Sequence, residues 1–293
     1  MPLAEPYPDR PPLRSRVLPV AGGHRLHVEE WGVDEGIPAV VLHGGPGSGC
    51  SPLLRRFFDP ARYRVICVDQ RGAGRSEPRG GIDHNTTADL LADLRVLRET
   101  LHIDRWLVVG GSWGATLAIL HAQDDPDAVT GLLLRSTFLA RASDIDGFFR
   151  DAPPALREGW RTLVAQRELA QAWWQWEHVF SGKSGAPPAC DAAMLDGLVA
   201  RYRVQSHYLA HGCFLPAPLP DLAARLPPVP TLLLHGSADR VCPGDGALAL
   251  RERMPYATLR WIDAVGHDPA HPAMADVMVR ALDAFAVSGR FEP

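Results

Sequence analysis

Short apolar runs alternate with amphipathic stretches through the first half of the chain. Residues 39–43 (Ala39-Val40-Val41-Leu42-His43) form one run that ends in a glycine-rich loop, and residues 63–69 form a second. Runs of this length, bounded by turn residues, predict strands buried on both faces. Asn85-Thr86-Thr87 then offers a helix cap, and residues 88–101 place Leu90, Leu91, Leu94, Leu97 and Leu101 on one helical face with Asp and Arg opposite. A strand at 106–110, a helix at 115–123 and a strand at 129–135 continue the alternation. Strand and helix in turn predict an α/β protein with a mostly parallel sheet covered on both faces.

The alternation stops after Thr137. From 138 to about 225 the chain keeps helical periodicity without a strand-like run, and Trp160, Trp173, Trp174 and Trp176 fall close together. An inserted helical cap is the expectation. Proline-rich joints at 216–220 and 227–230 mark the return, followed by strands at 229–235 and 258–262 and a closing helix at 273–286. The expected organisation is a core in two parts, 1–137 and 227–293, around a cap at 138–226.

Composition narrows the class of function. Of 293 residues, 46% are apolar and 22% charged, the balance of a globular protein with a sizeable core. Thirty Lys and Arg against 34 Asp and Glu leave a charge of -4, and no clustered basic run follows a phosphate backbone, so nucleic acid is not an expected partner. No segment approaches about 18 uninterrupted apolar residues, and positions 1–18, rich in Pro and Arg, hold no apolar stretch of signal-peptide length. The expected setting is the cytoplasm, with no membrane partner. Cysteines at 50, 67, 190, 213 and 242 are odd in number and irregularly spaced, which predicts reduced thiols rather than a disulfide framework or a zinc site.

The sharpest local signal is Gly110-Gly111-Ser112-Trp113-Gly114, a G-x-S-x-G between a predicted strand and a predicted helix. A tight strand-to-helix turn exposes such a serine at the edge of the sheet, and the glycines leave it room. A serine hydroxyl is a poor nucleophile at neutral pH and needs a base held in one tautomer by a carboxylate, in the chain order Ser, acid, His. Asp239, in the loop after 229–235, and His267, in the loop after 258–262, fit that order and that edge. Asp263 is a rival acid on the same loop as His267 and a poorer bridge to it. His271 forms an H-x-x-x-H pair with His267, but Pro269 and Pro272 disfavour a zinc-binding helix, so no metal and no cofactor are expected. The oxyanion of acyl transfer needs two backbone N–H groups. Trp113, after the nucleophile, supplies one, and Gly45 in His43-Gly44-Gly45-Pro46-Gly47 is the candidate for the other.

Together with Asp69-Gln70-Arg71-Gly72-Ala73-Gly74-Arg75-Ser76 and the continuation Ala115-Thr116-Leu117-Ala118, these motifs closely resemble the prolyl iminopeptidase family over nearly the whole chain. The resemblance implies an α/β-hydrolase core with a helical cap, and release of an N-terminal proline from a peptide. It implies Ser112, Asp239 and His267 as the triad and places the Cys242 thiol beside the site. It also implies cap carboxylates that hold the free amino end. Trp173-Trp174-Gln175-Trp176-Glu177 resembles the family's Trp-Glu segment, which makes Glu177 the first anchor. The second family glutamate and the pocket aromatic stand here as Gln205 and Leu209, in Gln205-Ser206-His207-Tyr208-Leu209. Phe138 and Phe149 are further candidate walls. The expected substrate is a small peptide or an aminoacyl amide or ester. Gln205 and Leu209 leave room for a hydrolase of a different aminoacyl group, and a fold reused as a binding module is the non-enzymatic alternative.

Overall fold

The computed structural model describes residues 2–162, 166–183, 185, 187, 189–226 and 228–291. Pro227, in the proline-rich joint of the sequence reading, lies outside them. The chain opens with β1 (Arg14–Pro19) and β2 (Arg25–Gly32), then β3 (Ile37–Leu42), α1 (Pro52–Arg55), β4 (Tyr63–Val68), α2 (Thr87–Thr100), β5 (Trp106–Gly111), α3 (Trp113–Asp124) and β6 (Val129–Arg135). There follow α4 (Ala142–Phe149), α5 (Pro154–Gly159), α6 (Arg167–Phe180), α7 (Ala192–Ala210) and α8 (Leu219–Ala223). The chain closes with β7 (Thr231–Gly236), α9 (Gly244–Arg253), β8 (Thr258–Ile262) and α10 (Pro272–Ser288).

The eight strands form one sheet in the order β1-β2-β4-β3-β5-β6-β7-β8, antiparallel at β1-β2-β4 and parallel from there on. The apolar runs are continuous because both faces are covered. Val40, Leu42, Ile66, Val68 and Val108 face the side packed by α2 and α3, while Ala39, Val41, Val65, Cys67 and Val109 face the side packed by α10. On α2 the expected leucine stripe is realised: Leu90, Leu94, Leu97 and Leu101 are buried, and Thr86 caps the helix through a reciprocal pairing with Asp89.

The antiparallel pair β1-β2 was not predicted. Strand β2 reads Arg-Leu-His-Val-Glu-Glu-Trp-Gly, and two adjacent glutamates in mid-strand break the apolar pattern. Glu30 is nonetheless fully buried, because Arg64 from β4 donates to its Oε2 at 2.6 Å and Arg16 from β1 pairs with its Oε1. Helix α9 went unread as well, since only Gly246, Ala247 and Leu250 of it are buried.

A buried histidine inside this core gives the fold a pH dependence. His121 on α3 accepts the indole N–H of Trp106 at 3.0 Å, and burial pushes its imidazole down to about 4, against the opposing charges of Asp125 and Asp124. The unfolded chain therefore takes up a proton near pH 6.5 that the folded chain refuses. Stability from this group is full above that pH and is lost as pH falls toward 4, about 2.5 kcal/mol by pH 4.5. Urea melts at pH 7 and 4.5 check it: His121→Gln, which keeps an acceptor for Trp106, should flatten the pH dependence by that amount, and an unchanged slope refutes it.

Candidate active site

Ser112 occupies the turn between β5 and α3 with φ 57° and ψ -124°, a conformation L residues rarely adopt. The flanking glycines are required by close backbone approach. A Cβ on Gly110 would lie 2.2 Å from the carbonyl oxygen of Gly114, and one on Gly114 would lie 1.9 Å from that of Leu42. Helix α3 starts directly at Trp113, two residues before the predicted start, so the Trp113 N–H belongs to the group of first-turn amides that have no partner within the helix.

Gly45 lies in the loop after β3 with φ +118°, where glycine is favoured, and a Cβ on Gly44 would lie 3.3 Å from the Gly111 carbonyl oxygen and 3.4 Å from the Ser112 Cβ. The Asp69–Ser76 motif holds this loop. Gln70 donates its backbone N–H to His43 Nε2 at 3.0 Å and its side-chain amide to the His43 carbonyl at 3.0 Å, and accepts the Trp113 indole N–H at 2.9 Å. His43 Nδ1 therefore carries the proton and donates to the Gly44 carbonyl at 2.8 Å. Burial pushes the His43 imidazole down, which fits this neutral role. Asp69 accepts the backbone N–H of Cys50 at 2.6 Å and of Arg75 at 2.9 Å.

At the C-terminal edge of the sheet, Asp239 after β7 and His267 after β8 meet: the Nδ1–H of His267 donates to Asp239 Oδ2 at 2.8 Å. The other carboxylate oxygen accepts the amides of Val241 and Cys242, both at 3.0 Å. Burial alone would raise Asp239, but the His267 charge and hydrogen bond, with the Cys242 amide, outweigh it and hold the carboxyl well below its usual range. The rival acid, Asp263, instead accepts the Ser237 hydroxyl at 3.1 Å, and His271 caps α10 by accepting the Ala273 amide. The His267 loop is pinned from two sides. Its carbonyl accepts from buried Arg135 at 2.9 Å, and its amide donates to the Ser181 carbonyl, just past α6, at 3.1 Å.

Ser112 and His267 line the same cavity of about 400 Å³. No hydrogen bond joins them among the described residues. The Ser112 hydroxyl lies 3.9 Å from the thiol of Cys242, a weak contact. Cys242 is buried, and burial together with the Asp239 charge pushes its thiol up.

Gly45, Phe138, Phe149, Glu177, Gln205 and Leu209 line the cavity as well, while Asp239 and the Trp113 side chain lie behind it. Among the tryptophans only Trp174 reaches the cavity. Trp160 and Trp173 are buried, forming with Phe149 and Tyr202 an aromatic column in which Phe149 stacks on Trp160 at 4.6 Å and Trp173 on Tyr202 at 4.7 Å. Arg201 and Tyr202 escaped the sequence reading. Arg201 sits four residues before Gln205 on α7, a spacing that puts both on one helical face and was the available signal. Among the described residues no cluster of three or more His, Cys, Asp or Glu is placed to hold a metal ion, and no helix is long and apolar enough to cross a membrane.

A mostly parallel sheet with a strained serine between strand and helix, and an Asp-His pair at the same edge, is the arrangement of an α/β hydrolase, and the family model described as the alpha/beta hydrolase fold matches residues 38–271. Among solved structures, VinJ superposes with a TM-score of 0.74 at 21% identity, covering 94% of this chain and 99% of that one. An esterase from Rhodococcus sp. ECU1013 does so with a TM-score of 0.64 at 19% identity, covering 94% and 98%. A proline iminopeptidase from Xylella fastidiosa is 36% identical over 95% of this chain and 98% of its own length. Others from Neisseria gonorrhoeae and Arabidopsis thaliana are 35% and 36% identical, over 94% and 92% of this chain and 97% and 79% of theirs. The chain belongs to the proline iminopeptidase family of α/β hydrolases.

Proposed function

We propose that the protein is a serine aminopeptidase that releases an N-terminal proline from small peptides. Ser112 attacks the carbonyl of the N-terminal residue while His267, held in one tautomer by Asp239, takes the hydroxyl proton through Nε2. The N–H groups of Gly45 and Trp113 receive the oxyanion. His267 then protonates the leaving amine, and water hydrolyses the acyl-enzyme by the same steps. Glu177 receives the free amino end, and Phe138, Phe149, Gln205 and Leu209 surround the acyl group. The segment 138–226 serves as the cap that closes over it.

The observation that carries this reading is that one cavity holds Ser112 and His267 on its core side and the carboxylate of Glu177 on the side of the helical segment. A cationic amine leaving water needs a fixed anion, and a hydrogen bond to a charged group contributes about 1.5–3 kcal/mol. Proline β-naphthylamide should be cleaved with a kcat/KM about 100-fold above that of its N-acetyl analogue, mainly because the acetyl group fills the space in front of Glu177, and to a lesser degree because the amine that Glu177 receives is gone. Equal turnover of the two would sink the assignment. The curated relatives' shared name, proline iminopeptidase, favours this reading over hydrolysis of a different aminoacyl group.

A further inference from the structure

The carboxylate proposed to anchor the amino end is already matched by a cation of the protein's own. Glu177 on α6 faces three side chains of α7. Its Oε2 accepts from Arg201 Nη2 at 2.5 Å and from the Tyr202 hydroxyl at 2.9 Å. Its Oε1 meets the Gln205 amide Nε2 at 3.5 Å, a long contact that leaves this oxygen open to a ligand. Both members of the ion pair line the cavity, with 20% of the Glu177 side chain and 27% of the Arg201 side chain exposed. Arg201 also lies over the Tyr202 ring, 5.0 Å from its centroid. Where a second carboxylate would restore negative charge, α7 presents the neutral Gln205.

We propose that Arg201 is a specificity-determining residue that neutralises Glu177, so that the cavity holds an amino end by hydrogen bonding with little net charge attraction. This rests on Glu177 being the amine anchor. An ammonium at Oε1 gains the pull of Glu177 and meets the opposing field of Arg201 from a few ångströms further away, and in a cavity screened less than bulk water the second term cancels much of the first. The enzyme therefore discriminates weakly between a prolyl group and an uncharged ring of the same shape. Removing the guanidinium unmasks the carboxylate without setting it loose, because Tyr202 still donates to Oε2.

The test compares kcat/KM for proline β-naphthylamide with that for cyclopentanecarboxylic acid β-naphthylamide, in which a ring carbon replaces the charged nitrogen. In the wild type the two should lie within about 10-fold of each other. Arg201→Met and Arg201→Gln should raise the ratio in favour of proline by about 10-fold or more, through KM. Arg201→Lys, which keeps the charge, should hold the wild-type ratio. Glu177→Gln leaves Arg201 uncompensated and should turn the ratio toward the neutral ring, and Glu177→Gln combined with Arg201→Met should cancel both effects. Because each variant is read as a ratio on one preparation, partial unfolding does not move it. A ratio that is unchanged or lower in both neutral Arg201 variants overturns the proposal and leaves Arg201 as a structural support of Glu177. If the wild type cleaves neither amide while a fluorophosphonate still labels Ser112, the anchor reading itself fails, and the proposal with it.

Discussion

Ser112→Ala should lower kcat toward proline β-naphthylamide by about 10⁶-fold and abolish fluorophosphonate labelling, with the melting temperature nearly unchanged. The side chain is a cavity-wall residue whose hydroxyl makes, among the described residues, only the 3.9 Å contact to Cys242, and alanine keeps the Cβ that the strained turn already carries, so little folding energy is lost. The neighbouring thiol is not a replacement nucleophile. Burial and the Asp239 charge raise its pKa, and a thiol that stays protonated does not attack. A residual rate within about 100-fold of wild type would mean that acyl transfer does not run through Ser112.

Asp239→Asn should cost about 10⁴-fold in kcat with the site geometry intact. The reason lies in the two sides of this carboxylate. Oδ1 accepts the amides of Val241 and Cys242, so the asparagine oxygen must stay there and its NH₂ group must face His267. Nδ1, which donates to Oδ2 in the wild type, must then become an acceptor, and the ring proton moves to Nε2. An Nε2 that already carries a proton does not take the one from Ser112. The loss should appear in kcat rather than KM, and it should be non-additive with Ser112→Ala, since the two residues act in one step. Additive losses would refute the assignment of Asp239 as the group that orients His267.

The parallel part of the sheet was legible because its strands are buried on both faces and read as unbroken apolar runs, as in Val40-Val41-Leu42 and Leu132-Leu133-Leu134. The antiparallel edge was hidden because β1 buries Leu18 alone and β2 carries Glu30, whose burial depends on arginines distant in sequence. The site divides in the same way. Ser112 and Gly45 sit in contiguous motifs whose spacing states their geometry. The contact of Ser112 with Cys242, and the pairing of Arg201 with Glu177, are facts of three-dimensional packing between segments that no local pattern records.

Two close backbone approaches tie the helical segment to the Gly47 and His267 loops. The Ser181 carbonyl holds the amide of His267, and the Arg201 carbonyl sits where a Cβ on Gly47 would approach to 2.5 Å. In the proposed mechanism, the parts that choose the acyl group and the parts that break its bond thus share joints. Diversification within such a lineage is constrained accordingly: a new preference is reached more readily by exchanging single side chains along α6 and α7 than by replacing the helical segment wholesale, because a replacement must reproduce both seats before the Gly47 and His267 loops regain their places.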